Sequence, residues 1–238
     1  PFNIGLVSSL VLAHLLADFP LQADVVFRWK KKGSFGVAIH AAIFVLVAYL
    51  LLLPMVRTVS VVVMIGSLGF VHFWIDETKL RLFRRIEVDN LWAFLADQAL
   101  HFMSLLLAAW LFAKHAANVR LEPEMFRFTL QPMTCGVVTG LIVSSYFGVL
   151  ITHYMEKMLF GSAYHNENLR PADKYLGILG RLCVTSAFLP ESWFVLSLTV
   201  ALGFLFFLSW RVKGWTSRLF VYYLSSAVLA SLVGMFLM

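Results

Sequence analysis

Charge is scarce in this chain. Asp, Glu, Lys and Arg make up 13% of its 238 residues, against 61% hydrophobic, whereas a soluble domain carries about 25% charged residues. So little charge excludes a water-soluble globular domain of ordinary composition and points to a polytopic membrane protein. Cysteine is nearly absent. Cys135 and Cys183 lie in separate apolar runs with no CxxC spacing, which excludes a disulfide framework or a cysteine zinc site and leaves two buried free thiols. Proline is kept out of the run interiors: Pro20, Pro54, Pro132 and Pro190 stand at their ends, where it is tolerated. The sequence also lacks a phosphate-binding glycine loop, a GxSxG elbow and an HExxH pair, the marks of P-loop NTPases, α/β-hydrolases and zincins. No low-complexity tract or long polar linker announces a separate soluble domain. The first run, FNIGLVSSLVLA, has no basic n-region or A-x-A cleavage site, so it reads as a retained helix and not a removed signal peptide.

Long apolar runs are abundant. A spanning helix needs about 20 largely apolar residues, and the runs 2–19, 35–56, 59–78, 91–113, 134–155, 173–189, 192–210 and 218–238 approach or meet that length. The first and sixth are short enough to be tilted or partly re-entrant. The expected fold is an all-α membrane bundle of about eight transmembrane helices. Residues 1–115 form a four-helix core of two hairpins, and 116–238 a C-terminal four-helix membrane region. Residues 118–133 alternate apolar and polar side chains and are expected on the membrane surface.

The net charge of +6 does not mark a nucleic-acid binder, because the cations sit in short loops between apolar runs. Arg28, Lys30, Lys31 and Lys32 fill the first loop, Lys79, Arg81, Arg84 and Arg85 the third, Lys157, Arg170 and Lys174 the fifth, and Arg211, Lys213 and Arg218 the seventh. The even loops hold only Arg57, Lys114, Arg120 and Arg127. By the positive-inside rule the odd loops are cytoplasmic and both termini lie outside. This topology suits a multi-pass membrane protein, with lipids as its first partners. The RWKKK cluster is positioned to meet anionic head groups, though topology alone accounts for it.

Against this apolar background the polar residues of the first four runs form a pattern. His14/Asp18, His72/Asp76 and Asp97/His101 are each spaced i,i+4, and His40 stands alone on the second run. That spacing places both members of a pair on one helix face. Given the topology above, all of these His and Asp positions fall within roughly 15 Å of the cytoplasmic ends of their helices. AHLLADFPLQ and VHFWIDETKL share H-x3-D, each followed by a histidine on the next helix, a weak internal repeat of two hairpins in parallel orientation. Ionisable groups at such depth face partners or a cavity. Imidazole and carboxylate together are a ligand set for zinc, iron and manganese, and helix bundles build such sites from inward-facing residues.

The expected metal ligands are therefore His14, Asp18, His40, His72, Asp76, Asp97 and His101. Gln22, Lys79 and Gln98 are placed to orient ligands or bind an anionic group. His153 and Glu156, spaced i,i+3 near the inner end of the fifth run, are further candidates, although a solvated helix end accounts for them as well. Arg181, inside the sixth run, is expected to pair with a carboxylate or snorkel. Haem fits less well, because carboxylates stand one turn from three of the histidines.

At these residues the sequence resembles a bacterial integral-membrane family carried as domain of unknown function 3307. The resemblance rests on H-x3-D-F-P-L-Q (His14 to Gln22), the lysines of RWKKK, His40, Asp76 with Lys79, and Asp97-Gln98-x2-His101. Further on, NLRPADKYLGILGRLCV resembles a segment that in relatives ends Gly-x-x-Glu-Arg. Here Gly180 precedes Arg181, and Val221 stands before Tyr222 where another acidic residue is expected. The resemblance implies a shared site and no particular reaction. The leading functional expectation is metal-dependent hydrolysis of a lipid or lipid-linked substrate. A metal-ion or proton transporter, and a non-catalytic subunit of a larger membrane complex or homo-oligomer, stay open beside it. So does a purely hydrogen-bonded His/Asp network holding the helices together.

Overall fold

The computed structural model describes residues 4–53, 59–86, 90–116, 132–160 and 171–187, with 203, 228–230 and 232–235. Among these every regular element is helical. In chain order they are α1 (Ile4–Asp18), α2 (Asp24–Lys32), α3 (Ser34–Leu51), α4 (Val59–Ile86), α5 (Leu91–Ala116), α6 (Pro132–Ile142), a π-helical turn (Val143–Phe147), α7 (Gly148–Phe160) and α8 (Pro171–Ser186). Four stretches are long and apolar enough to cross a membrane: Ser34–Leu51, Val59–Leu82, Leu91–Phe112 and Met133–Leu159. α1 and the Gly177–Ser186 part of α8 are apolar but shorter. The expected runs 192–210 and 218–238 and the surface segment 118–133 fall almost wholly outside the described residues.

Local sequence accounts for the helix boundaries. Pro132 and Pro171 open α6 and α8, the first helical position, where a missing N–H costs nothing. The Asn90 side chain accepts from the Ala93 N–H at 2.9 Å, an N-cap that fixes the start of α5 and hence the height of Asp97 and His101. α4 has 28 residues, about 42 Å of helix, which exceeds the roughly 30 Å hydrocarbon core. It therefore continues past the apolar run 59–78 into Lys79 and Arg81, residues that the hydropathy pattern assigns to a loop.

The chain divides into two compact units, residues 1–139 and 140–238. In the first, α1 packs on α3 and α5, α3 on α4, and α4 on α5, closing a four-helix ring. α2 lies against α3. It was not foreseen, since the sequence reads as a basic loop there. Each bundle helix carries one buried column that changes character along its length. Leu6 and Leu10 on α1 lead to His14; Ala48 and Phe44 on α3 lead to His40; Val61, Ile65 and Leu68 on α4 lead to His72 and Asp76. On α5, Ala108 and Leu105 lead to His101 and Asp97. The ring thus has an apolar half and a polar half. A Cβ at Gly69 of α4 would overlap the Val45 side chain of α3, so glycine there permits the two helices to approach.

In the second unit the π-helical turn packs on α7 and α8. Cys135, on α6 in the first unit, and Cys183, on α8 in the second, are both buried thiols outside any disulfide, as the sequence implies.

Candidate metal centre

Four helices deliver the seven expected ligands to one place. The i,i+4 pairs sit one above the other, with His14 Nδ1 3.7 Å from Asp18 Oδ1, His72 Nε2 3.5 Å from Asp76 Oδ2, and His101 Nε2 3.8 Å from Asp97 Oδ1. Between helices, His40 Nε2 is 3.1 Å from Asp18 Oδ1 and 3.5 Å from Asp76 Oδ2. His72 Nε2 lies 3.4 Å from Asp18 Oδ1, and His101 Nε2 3.8 Å from Asp76 Oδ1. His72 is central: its ring centroid is 4.3 Å from His101, 5.0 Å from His40 and 5.5 Å from His14. Phe44 stacks on its face at 4.9 Å and 6°, which fixes the ring plane.

Three sets of donor atoms are compact enough to hold an ion. Those of His14, His72 and His101, of Asp18, His40 and His72, and of Asp76, Asp97 and His101 each lie within 4.8 Å of one another. All of these side chains are buried or nearly so; His14 and His40 expose nothing. Burial makes unmet polar atoms expensive, about 1–3 kcal/mol each for neutral groups. Both ring nitrogens of His14, Nε2 of His72 and of His101, and Oδ1 of Asp76 and of Asp97 are buried without a hydrogen-bond partner. Each neutral imidazole keeps one N–H and offers one lone pair, and a cation would satisfy the lone pairs that converge here together with the carboxylate oxygens.

Two lysines border this centre. Lys79 Nζ is 2.6 Å from Asp97 Oδ2, and Gln98 Nε2 donates to the same oxygen at 3.3 Å, so both expected supporting residues touch a ligand. Lys30 was missed. It is the buried lysine of α2, its Nζ 2.7 Å from Asp76 Oδ2 and 3.4 Å from Gln22 Oε1, so the expected Gln22 reaches the site through it. The RWKKK run reads as a topological signal, which is why Lys30 did not stand out. Its neighbours Arg28, Lys31 and Lys32 are indeed exposed.

Below the centre, Glu77 accepts from Ser34 Oγ at 2.8 Å and from Arg81 Nε at 2.8 Å. The Ser34 bond ties the start of α3 to α4 and holds His40 level with His72, while Arg81 meets Glu77 within α4. Residues expected at the periphery belong to the second unit. His153 is half-buried against Tyr154, with ring centroids 5.3 Å apart, and the Glu156 side chain is outside the described residues. Arg181 is buried and its Nε donates to the Ser145 carbonyl at 3.3 Å, in the π-helical turn, whose altered register frees backbone acceptors.

Comparison with curated proteins and with solved structures found no match. A family model described as "Protein of unknown function (DUF3307)" matches residues 6–126, just over half of the chain. The matched segment contains every His and Asp of the centre together with Lys30 and Lys79. The chain belongs to the DUF3307 family.

Proposed function

We propose that the His/Asp cluster is a divalent-metal centre and that the protein is a metal-dependent hydrolase of the bacterial inner membrane. Its substrate is a lipid or lipid-linked compound delivered from the inner leaflet. The observation that carries this reading is the Asp18, His40 and His72 set, whose donor atoms lie within 4.8 Å of one another. It is the compact set that contains a carboxylate and has no lysine on it. Two imidazoles and one carboxylate are the protein ligands of many catalytic zinc and iron sites, where coordination positions stay open for water or substrate.

A zinc, manganese or iron ion held there supplies a Lewis acid and a water activated near neutral pH. The surrounding residues do the rest. Hydrolysis gives the hydroxyl of water to the ester centre and its proton to the leaving oxygen. His14 and His101, beside the ion-holding set with ring nitrogens lacking partners, take and return that proton. Phe44 and the apolar half of the bundle keep bulk water from the centre. That half also favours hydrolysis over conduction, because a transport path needs polar groups along the axis. The buried columns beyond His14, His72 and His101 are instead Leu10, Leu68 and Leu105, and the buried Ser9 beside them meets Cys135 Sγ at 4.0 Å.

The test is hydrolysis by the detergent-purified protein, loaded with Zn²⁺, Mn²⁺ or Fe²⁺, of phospholipids and lipid-linked esters. Water-soluble product is measured for wild type and Asp18→Asn. Metal-dependent product release that the variant lacks supports the reading. No product with any metal, or release that Asp18→Asn leaves unchanged, refutes it.

A further inference from the structure

Lys30 and Lys79 have no role in holding a cation, yet both are built into the centre. Each binds one oxygen of a carboxylate whose other oxygen turns inward. Asp76 gives Oδ2 to Lys30 at 2.7 Å and points Oδ1 to within 3.8 Å of His101 Nε2. Asp97 gives Oδ2 to Lys79 at 2.6 Å and points Oδ1 to within 3.8 Å of the same nitrogen. The third donor set is therefore bracketed by two ammonium groups from two different helices. Lys30 is held there deliberately. A Cβ at Gly36 would overlap the backbone of Trp29 and Lys30, so α2 rests directly on α3 and the lysine is inserted from a fixed backbone. Two of its three N–H groups go to Asp76 and Gln22.

Charge balance gives these cations a purpose. With neutral imidazoles, the carboxylates of Asp18, Asp76 and Asp97 are offset in part by Lys30 and Lys79, and one divalent ion turns the remaining single negative charge into a single positive one. Uncompensated charge at this depth is costly, so the loaded centre favours an anion. Ammonium groups beside a metal are the common arrangement for a phosphoryl oxygen. The exposed face of α2 extends the same preference to the surface, where Arg28, Lys31 and Lys32 stand beside the part-exposed Phe27 and Trp29. That is the composition of a helix lying among anionic head groups.

We propose that Lys30 and Lys79 form an anion subsite and that the substrate class is a phosphate ester, bound with a phosphoryl oxygen between the two ammonium groups and the metal. This rests on the metal reading of the same site. It makes an uncommon prediction: removing either lysine should weaken anion binding while leaving metal binding as tight or tighter, since each ammonium group repels a cation held on the neighbouring Asp18, His40 and His72.

The experiment titrates Mn²⁺, then inorganic phosphate, into protein in maltoside micelles, followed by calorimetry. It compares wild type, Lys30→Met, Lys79→Met, Lys30→Arg and the exposed control Arg81→Gln, all checked for fold by circular dichroism. Phosphate should bind wild type only after Mn²⁺. Each Met variant should lose at least 10-fold in phosphate affinity while holding Mn²⁺ as tightly or more so. Lys30→Arg should recover most of the phosphate affinity, and Arg81→Gln should match wild type. Mn²⁺ binding without phosphate binding, or phosphate binding equal in all variants, overturns the subsite alone. Failure to bind Mn²⁺, and Zn²⁺ or Fe²⁺ in its place, overturns the metal reading and the subsite with it. A final arm adds dihexanoyl phosphatidic acid as competitor. Tighter binding than phosphate assigns the ligand to a lipid head group, and weaker binding assigns it to free phosphate.

Discussion

Asp18 and His72 show how much a single side chain decides here. Asp18 Oδ1 is 3.1 Å from His40 and 3.4 Å from His72, so one carboxylate oxygen joins three helices. Asp18→Asn keeps the shape and removes the charge. We expect it to lose bound metal at least 10-fold, read by equilibrium dialysis, whereas Arg81→Gln should not. Arg81 meets Glu77 at 2.8 Å with most of its side chain exposed, and such surface pairs contribute about 0–1 kcal/mol. Phe44 offers a second check. It is buried and stacked on His72, and Phe→Ala in a packed core costs about 3–5 kcal/mol. Phe44→Ala should lower the unfolding midpoint in detergent and loosen metal binding by freeing the His72 ring. The His/Asp cluster was legible in the sequence because His and Asp are rare in apolar runs and the i,i+4 spacing pairs them. Lys30 was not, because a lysine in a basic loop and a lysine inserted into a bundle have the same local sequence. Only the docking of α2 separates them.

At the scale of elements, α2 is the informative piece. Hydropathy finds spans, and α2 is too short and too charged to register, so the segment between Pro20 and Ser34 reads as loop. Likewise α4 runs on to Ile86, because Glu77, Lys79, Leu80 and Arg81 are good helix formers that need no membrane. Gly36 controls the placement of α2. Gly36→Val puts a branched side chain where the Trp29 carbonyl sits, so α2 should lift from α3. Hydrogen exchange should then rise across residues 24–32 while α3, α4 and α5 keep their protection. Unchanged exchange in α2 would show that its docking does not depend on this contact. At the other end of the ring, Asn90→Ala should cost about 1 kcal/mol by removing the α5 cap, read as a lower thermal midpoint.

For the molecule as a whole, the division of the first unit into a polar half and an apolar half is the property from which function follows. A proton or ion pathway would need polar groups through both halves. Proteoliposomes carrying the protein should therefore show no more proton or Mn²⁺ flux than empty vesicles, by pyranine or calcein fluorescence. Sustained flux would replace the hydrolase reading with a transport one. The helical architecture of the first half was readable from run lengths alone, since each long helix has its own stretch of apolar sequence. Which helices close the ring was not, because apolar runs carry no record of their neighbours. The polar layer hinted at it, as residues held at one depth on four helices are expected to meet.

The central claim is that these buried groups hold a divalent ion, and metal content tests it most directly. Wild-type protein and the Asp18→Asn/His72→Ala variant would be purified in detergent and analysed by inductively coupled plasma mass spectrometry. The account predicts close to one equivalent of zinc, manganese or iron per chain in the wild type and almost none in the variant. A metal-free wild type that stays metal-free after incubation with each ion, with the variant differing only in stability, would contradict it and leave the layer as a hydrogen-bonded network.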